Sequence, residues 1–405
     1  MNRKSILSLL LIICFAVNLI ILPAYAAQVD AYDAVTVTKI ISRTNLNELK
    51  SKSAILMEPK SANVLMEQNS HEKLPIASVT KIMSMLLIME AIDEGRLGYD
   101  DIVTVSEHSY SMGGSQVWLK PGETFSVREM MYAVAIGSAN DCTVALAEHI
   151  AGSEEAFVAM MNEKAKALGM VNTNFLDCTG LTDEGHYSTA YDIALMSREL
   201  LVKHPKVIEF TGQWNKKFRE GAAKGEIGLY NTNKLIRFYE GATGLKTGFT
   251  NAARYCLSAS AERNGLQLIA VVLGAPDSNT RFAEVQKLLN YGFANYEVAK
   301  INSKGDGIGE VMVKKGLDTK VNAVLDGDVN LVVAKGGKDS IAKEVKLPEN
   351  VNAPVEKGQK LGEVIFSVEG KELGKFDVVA EGKVEKASFL RLFFKLIVAW
   401  FGMGR

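Results

Sequence analysis

The chain has 405 residues, 47% of them hydrophobic and 23% charged, with a formal net charge of −1 at pH 7. That composition excludes a disordered chain, and a balance so near zero gives no reason to expect nucleic acid as a partner. The length exceeds one ordinary domain, so a large domain with a smaller companion is expected.

The chain begins with Arg3 and Lys4, an apolar run from Ile6 to Leu22, Pro23, and then Ala24-Tyr25-Ala26. A basic start, an apolar stretch and a small-x-small site form a secretory leader, so residues 1–26 are expected to be cleaved after Ala26 and the protein exported. Cys14 follows Ile13, where a lipoprotein signal needs a small residue, so lipidation is not expected. Losing Arg3 and Lys4 takes the formal charge to −3, two basic residues fewer. Cys142, Cys178 and Cys256 then remain. An odd, irregularly spaced set is no disulfide framework and no zinc site, so these read as free, mostly buried thiols, with one disulfide left open.

Residues 27–292 mix short β-like runs with long helical ones, an α/β or α+β pattern. Two apolar runs, 54–57 and 63–66, flank the turn 58–62 and predict a hairpin. Ile82, Met83, Leu86, Leu87, Met89 and Ile92 then recur at helical spacing in an almost wholly apolar segment, which predicts a helix buried on most sides. Further helices are expected at 127–135, 141–150 and 154–168, strands at 254–261 and 266–273, and a closing helix at 280–296. Residues 293–383 change texture to short β-prone runs split by Gly, Asp and Asn, a small all-β domain read as a spacer or docking module. In residues 384–405, Ser388, Arg391 and Lys395 form a narrow polar stripe beside a wide face that includes Phe389, Phe393, Trp400 and Phe401. That is the pattern of a helix lying in a membrane surface; a span would need about 20 mostly uncharged residues.

Three short motifs follow one another: Ser78-Val79-Thr80-Lys81, Ser138-Ala139-Asn140 and Lys246-Thr247-Gly248. Each alone is weak, because Ser-x-x-Lys also occurs at 70–73 and 340–343, and Ser-x-Asn at 61–63. Taken singly, Ser78 reads equally as a helix cap, Ser138 and Asn140 as turn residues, and 246–248 as a loop. Context separates them. Residues 70–73 run into Leu74-Pro75, which disfavours a helix, whereas Ser78 opens the apolar helix with Lys81 one turn along on the same side.

A serine hydroxyl needs a base to become nucleophilic, and a lysine serves only when its pKa is lowered, by burial or by a neighbouring cation. Lys81 on a buried helix, with Lys246 converging on it, is expected to meet both conditions. Ser78 is then the nucleophile and Lys81 its base. Ser138 supplies a relay hydroxyl and Asn140 an amide that fixes Lys81 and substrate. Lys246 and Thr247, on a strand edge, bind a substrate carboxylate, and Gly248 lets substrate backbone approach. The amides of Ser78 and Phe249 are candidate oxyanion donors.

These three motifs in this order resemble those of the serine penicillin-binding proteins and class A β-lactamases. Ser138-Ala139-Asn140-Asp141, Thr179-Gly180-Leu181, the run from His186 to Ala190 and Lys246-Thr247-Gly248 further resemble the low-molecular-mass D-alanyl-D-alanine carboxypeptidases. The resemblance implies a transpeptidase-like α/β domain, a small β domain and a C-terminal amphipathic helix at the outer face of the bacterial membrane. It implies an acyl-enzyme at Ser78 that trims the terminal D-alanine from peptidoglycan stems, with β-lactams as covalent inhibitors and a part in cell-wall biogenesis and cell shape. Arg281, placed on the loop before the closing helix, is a candidate holder of the terminal carboxylate. No metal or cofactor is implied. A β-lactamase is disfavoured because no Glu-x-x-x-Asn lies between Asn140 and Lys246, a zinc peptidase because the five histidines lack ligand spacing, and a silent wall-binding protein because Ser78, Lys81 and Lys246 are intact.

Overall fold

The computed structural model describes residues 49–388 apart from 183 and 222–224, together with residues 391 and 393. The expected leader lies outside the described residues, as does most of the helix expected at 384–405; Arg391 and Phe393 are helical, but Val384 and Lys386 are extended, in β-bridges to Val355 and Gly316, so the first residues of that expected helix belong to the β-rich part.

The hairpin forms as predicted, with β1 (Ser53–Glu58) antiparallel to β2 (Asn63–Gln68). Ribbons β3 (Ile102–Thr104) with β4 (Thr124–Ser126) and β5 (Asn215–Phe218) with β6 (Ile227–Tyr230) stand apart from the main sheet. The main sheet is completed by β7 (Ala242–Thr250), β8 (Arg254–Arg263) and β9 (Leu266–Ala275), in the order β2-β1-β9-β8-β7 with every pairing antiparallel. Strand β9, last in the chain, sits in the middle, which is why all ten of its residues are buried.

Strand periodicity divides the core in two. Leu268, Ala270 and Val272 of β9, with Ala54 and Leu56 of β1, face the closing helix α5 (Ser278–Asn295); Ile269, Val271 and Leu273, with Ile55 and Met57, face a helical layer. That layer is built from α1 (Lys81–Asp93), α2 (Asn140–Ala151), α3 (Glu154–Ala167) and α4 (Ala190–Lys203). Helix α1 is apolar on nearly every side and buries ten of its thirteen residues, as expected for a helix at the centre of a core. The segment after Val127 is helical only to Tyr132, then widens into a π-turn over Ala133–Gly137 that ends at Ser138.

Helix α5 runs to Asn295, so the change of texture expected at 293 falls in its last turn, and the β-rich part starts at Tyr296. Strands β10 (Tyr296–Asn302), β11 (Gly307–Lys314), β12 (Lys320–Leu325), β13 (Val329–Ala334), β14 (Ile341–Lys346), β15 (Asn350–Asn352), β16 (Lys360–Val368) and β17 (Lys371–Ala380) follow. They form a six-stranded sheet, β14-β16-β17-β12-β11-β15, and a β10-β13 pair around a separate core that includes Val311, Leu331 and Phe366. Cys142, Cys178 and Cys256 are free and buried. Among the described residues, no helix is long and apolar enough to cross a membrane.

Candidate active site

Ser78 does not open α1 itself. It lies in a 3-10 turn, Ala77–Thr80, that leads into the helix at Lys81. The turn begins at Ala77 with a left-handed φ of 49°, and it is gripped on two sides by glycines. A Cβ at Gly248 would lie 2.6 Å from the Ile76 carbonyl oxygen and 3.1 Å from Val79 N; one at Gly180 would lie 1.9 Å from the Ala77 carbonyl oxygen. The first contact changes the role expected of Gly248: its missing side chain makes room for the turn that carries Ser78, so β7 packs directly against it.

Lys81 is fully buried, and its Nζ sits 3.1 Å from Ser78 Oγ, 2.6 Å from Asn140 Oδ1 and 2.8 Å from the Thr179 main-chain oxygen. Burial lowers its pKa from 10.5 to about 8, against the opposing pull of Cys178, Asp177 and Asp141. Lys246 is likewise held well below its ordinary value, by burial first and then by the charges of Lys81 and Arg281. With three acceptors around it, a neutral Lys81 can donate to Asn140 and Thr179 and still turn its lone pair to the Ser78 hydroxyl.

Asn140 opens α2, 2% exposed, with Nδ2 donating to the Gly113 carbonyl at 2.7 Å, which fixes which end of its amide meets Lys81. Asp141 accepts from the amides of Val117 and Leu119, so two adjacent residues hold the 113–119 loop. Ser138 is buried in the turn between the π-turn and α2 with a left-handed backbone (φ 62°), and its hydroxyl has no hydrogen-bond partner among the described residues.

On edge strand β7, Lys246 is 1% exposed and donates to the Thr247 carbonyl at 3.0 Å, and Thr247 Oγ1 bonds Thr232 Oγ1 at 2.7 Å. Phe249 is 49% exposed, its ring centroid 4.5 Å from that of Tyr255. Arg281 is in the first turn of α5 rather than on the loop before it, 7% exposed, and donates to the carbonyls of Gly248 and Cys256 at 3.3 Å each. Its guanidinium therefore braces the strand end behind Gly248, and burial lowers its pKa to about 10.

Sequence reasoning passed over Asp177. Its Oδ1 accepts from the amides of Thr179 (2.7 Å) and Gly180 (2.5 Å) and from the Thr179 hydroxyl, and its Oδ2 from the Thr182 amide. This cradle turns the Thr179 carbonyl toward Lys81. Burial pushes the Asp177 carboxyl up, but His186 and these donors outweigh it and hold it at about 2. His186 Nε2 lies 2.8 Å from Thr80 Oγ1, which in turn donates to the Ala77 carbonyl, so the second loop grips the serine turn as well. The sequence signal available for Asp177 was an Asx residue two positions before a Thr-Gly, a turn motif with many uses.

A serine held against a buried lysine, beneath the edge of an antiparallel sheet clasped between helical layers, defines a serine peptidase of the transpeptidase and β-lactamase-like fold. Residues 38–277 match the D-alanyl-D-alanine carboxypeptidase family, and residues 296–386 match the penicillin-binding protein 5 C-terminal domain. The chain is 44% identical over 359 residues to D-alanyl-D-alanine carboxypeptidase DacF of Bacillus subtilis, covering 88% of this chain and 92% of that one. It is 33% identical over 364 residues to DacC of Escherichia coli, 87% and 90%. Among solved structures, penicillin binding protein 5 from Haemophilus influenzae superposes with a TM-score of 0.73 at 30% identity, covering 86% of this chain and all of that one. The chain belongs to the D-alanyl-D-alanine carboxypeptidase family and is a serine-type carboxypeptidase of that kind.

Proposed function

We propose that Ser78 is the nucleophile and Lys81 its general base in removing the terminal D-alanine from peptidoglycan pentapeptide stems. The observation that carries this reading is the buried Lys81 Nζ within 3.1 Å of Ser78 Oγ, with Asn140 and Thr179 occupying its other directions. Neutral Lys81 takes the Ser78 proton as Oγ attacks the carbonyl of the penultimate D-alanine. The amides of Ser78 and Phe249 receive the developing oxyanion. The proton passes from Lys81 by way of the Ser138 hydroxyl to the departing amine, and D-alanine leaves. Water then attacks the ester, giving its proton to Lys81, which hands it to Ser78 Oγ as the acyl–oxygen bond breaks, so the hydroxyl and the neutral amine are both restored.

Lys246, with Thr247, receives the terminal carboxylate of the substrate. An arriving carboxylate, that of D-alanine or of a β-lactam, favours the charged form of the buried Lys246 and pairs with it. Benzylpenicillin is accordingly a covalent inhibitor that stops at the Ser78 ester. Arg281 supports this site from behind through the Gly248 carbonyl.

The leader at 1–26, with cleavage after Ala26, delivers the enzyme to the outer face of the cytoplasmic membrane. The amphipathic segment 384–405 holds it there, and the β-rich domain between acts as the spacer.

Intact-protein mass after brief exposure to benzylpenicillin, for residues 27–405 and for its Ser78→Ala variant, tests the chemistry. One penicilloyl adduct, absent in Ser78→Ala, together with D-alanine release from a D-alanyl-D-alanine-ended peptide is expected. Folded protein that forms no adduct would refute the Ser78 acyl-enzyme.

A further inference from the structure

Residues 113–119 link the catalytic centre to a second site. At its near end the loop is tied to Asn140, whose Nδ2 donates to the Gly113 carbonyl and whose backbone amide donates to the Ser115 carbonyl, both at 2.7 Å. Three residues further on stands Trp118, 63% exposed, between Val117 and Leu119, which are 2% and 1% exposed. Its φ is 52°, a left-handed conformation that costs a bulky residue energy and persists only where the surroundings impose it. They do so here from both sides. Asp141 accepts from the amides of Val117 and Leu119 at 3.0 and 3.1 Å, and Arg219 donates to the carbonyls of Val117 and Trp118 at 2.9 and 3.2 Å. The backbone is pinned so that the two aliphatic neighbours go inward and the indole stands in solvent, with no aromatic ring stacked on it among the described residues.

The indole borders a cleft of about 1060 Å³ that is lined also by Lys120, Glu123, Glu129, Arg219 and Glu220. Arg219 is neutralised by Glu123 at 2.7 Å, and its amide donates to Glu129 at 2.7 Å. Lys120 and Glu220, one of each sign, form no ion pair among the described residues. A cleft with an exposed indole face, hydrogen-bonding groups of both kinds and no dominant charge suits a ring with an apolar face and hydroxyl edges. It does not suit a polyanion or an acyl chain.

Trp118 stands three residues, at most about 10 Å of chain, from the Ser115 carbonyl that accepts from the Asn140 amide, and a stem cut before its last residue carries four residues, up to about 14 Å, between the reacting carbonyl and the sugar. We propose that the Trp118 cleft is a saccharide subsite that receives a sugar ring of the glycan strand carrying the stem. The inference rests on the carboxypeptidase reading for its substrate, and a stem presented on its glycan is then preferred over the bare peptide.

The test compares wild-type protein with Trp118→Ala and Trp118→Phe on two substrates, a sugar-free D-alanyl-D-alanine-ended pentapeptide and the same pentapeptide on a disaccharide. Trp118→Ala is expected to lower kcat/KM at least tenfold on the disaccharide substrate, mostly through KM, while the sugar-free peptide and benzylpenicillin acylation stay within about twofold. Trp118→Phe restores most of the loss. Equal losses on both substrates, or none on either, overturn the subsite. Saturation-transfer NMR with the disaccharide alone separates the two readings: signal in wild type that disappears in Trp118→Ala supports the subsite even if no D-alanine is released. Its absence in wild type refutes the subsite even if the peptidase is active.

Discussion

Gly248 and Ile76 meet where β7 abuts the turn that carries Ser78, and a Cβ at 248 would stand 2.6 Å from the Ile76 carbonyl oxygen. Strand β7 and the turn that carries Ser78 are thus positioned by the same contact. Gly248→Ala must push the two apart, and displacement near a reacting centre by about 1 Å costs on the order of 100-fold in rate. The second-order rate of acylation by benzylpenicillin is expected to fall by about that factor, with a Tm lowered by only a few degrees. Gly180→Ala is harsher, because φ is +82° and the Ala77 carbonyl oxygen is 1.9 Å from the new Cβ; loss of the folded protein is expected. Wild-type acylation by Gly248→Ala would contradict this account.

Acylation should follow the neutral fraction of Lys81. Burial places that group at about 8, so the rate rises with pH and levels off above it. The same shift governs stability with a definite sign: between about 8 and 10.5 the unfolded lysine holds a proton that the folded one has released, so stability from this group increases as pH rises through that window. Lys81→Met is expected to abolish acylation and to lessen that rise in a pH series of urea unfolding curves, the remainder coming from Lys246, whose pKa is lowered in the same sense. A persistent rise of the same size would assign it to another group.

Asp177 has two separable effects on Lys81. As an acceptor it shapes the turn that aims the Thr179 carbonyl at Nζ; as a charge it raises the Lys81 pKa. Asp177→Asn keeps an acceptor and removes the charge, so the ascending limb of the acylation profile shifts to lower pH. Asp177→Ala removes both, and the plateau rate falls as well. The carboxyl is held at about 2 in the folded protein, so its stabilising contribution is present above the usual carboxylate range, near 3.8, and is lost as pH falls through 2. A profile unmoved in Asp177→Asn would remove the electrostatic role and leave the positional one.

The proposed membrane attachment through residues 384–405 has its own test. Protein 27–405 is expected to sediment with vesicles containing anionic lipid and protein 27–386 to remain in solution, with equal D-alanine release from a soluble peptide. Neither form sedimenting would dismiss the anchor.

Much of the scaffold was readable because it obeys local periodicity. The hairpin at β1 and β2, the apolar α1 and the β8 and β9 runs each carry their pattern within a dozen residues. Helix α4 was not singled out, although Thr189 caps it through the Asp192 amide and Ile193, Met196 and Leu200 line its buried face; its start merges with the His186–Ala190 stretch, which drew attention as a motif. Arg281 was placed on the loop although the helix expected at 280–296 already contained it; Asp277, which caps α5 through the Thr280 amide, puts it in the first turn. The π-turn before Ser138 has no distinctive composition, since its Ala-Val-Ala-Ile-Gly run is compatible with ordinary helix.

Ser78 and Lys81 were paired by sequence alone, because three residues of helical backbone set their spacing whatever surrounds them. The order of the three motifs and the edge-strand character of Lys246 were legible on the same terms. What suits Lys81 to the proposed role of base was decided by the tertiary structure. Asn140 and Thr179 reach it from 59 and 98 residues away, and full burial lowers its pKa. Those contacts depend on β9 inserting between β1 and β8, and on glycines at 180 and 248 that let two distant loops close on one turn. Desolvation and through-space hydrogen bonds are properties of the assembled core, and no local pattern of residues encodes their distances.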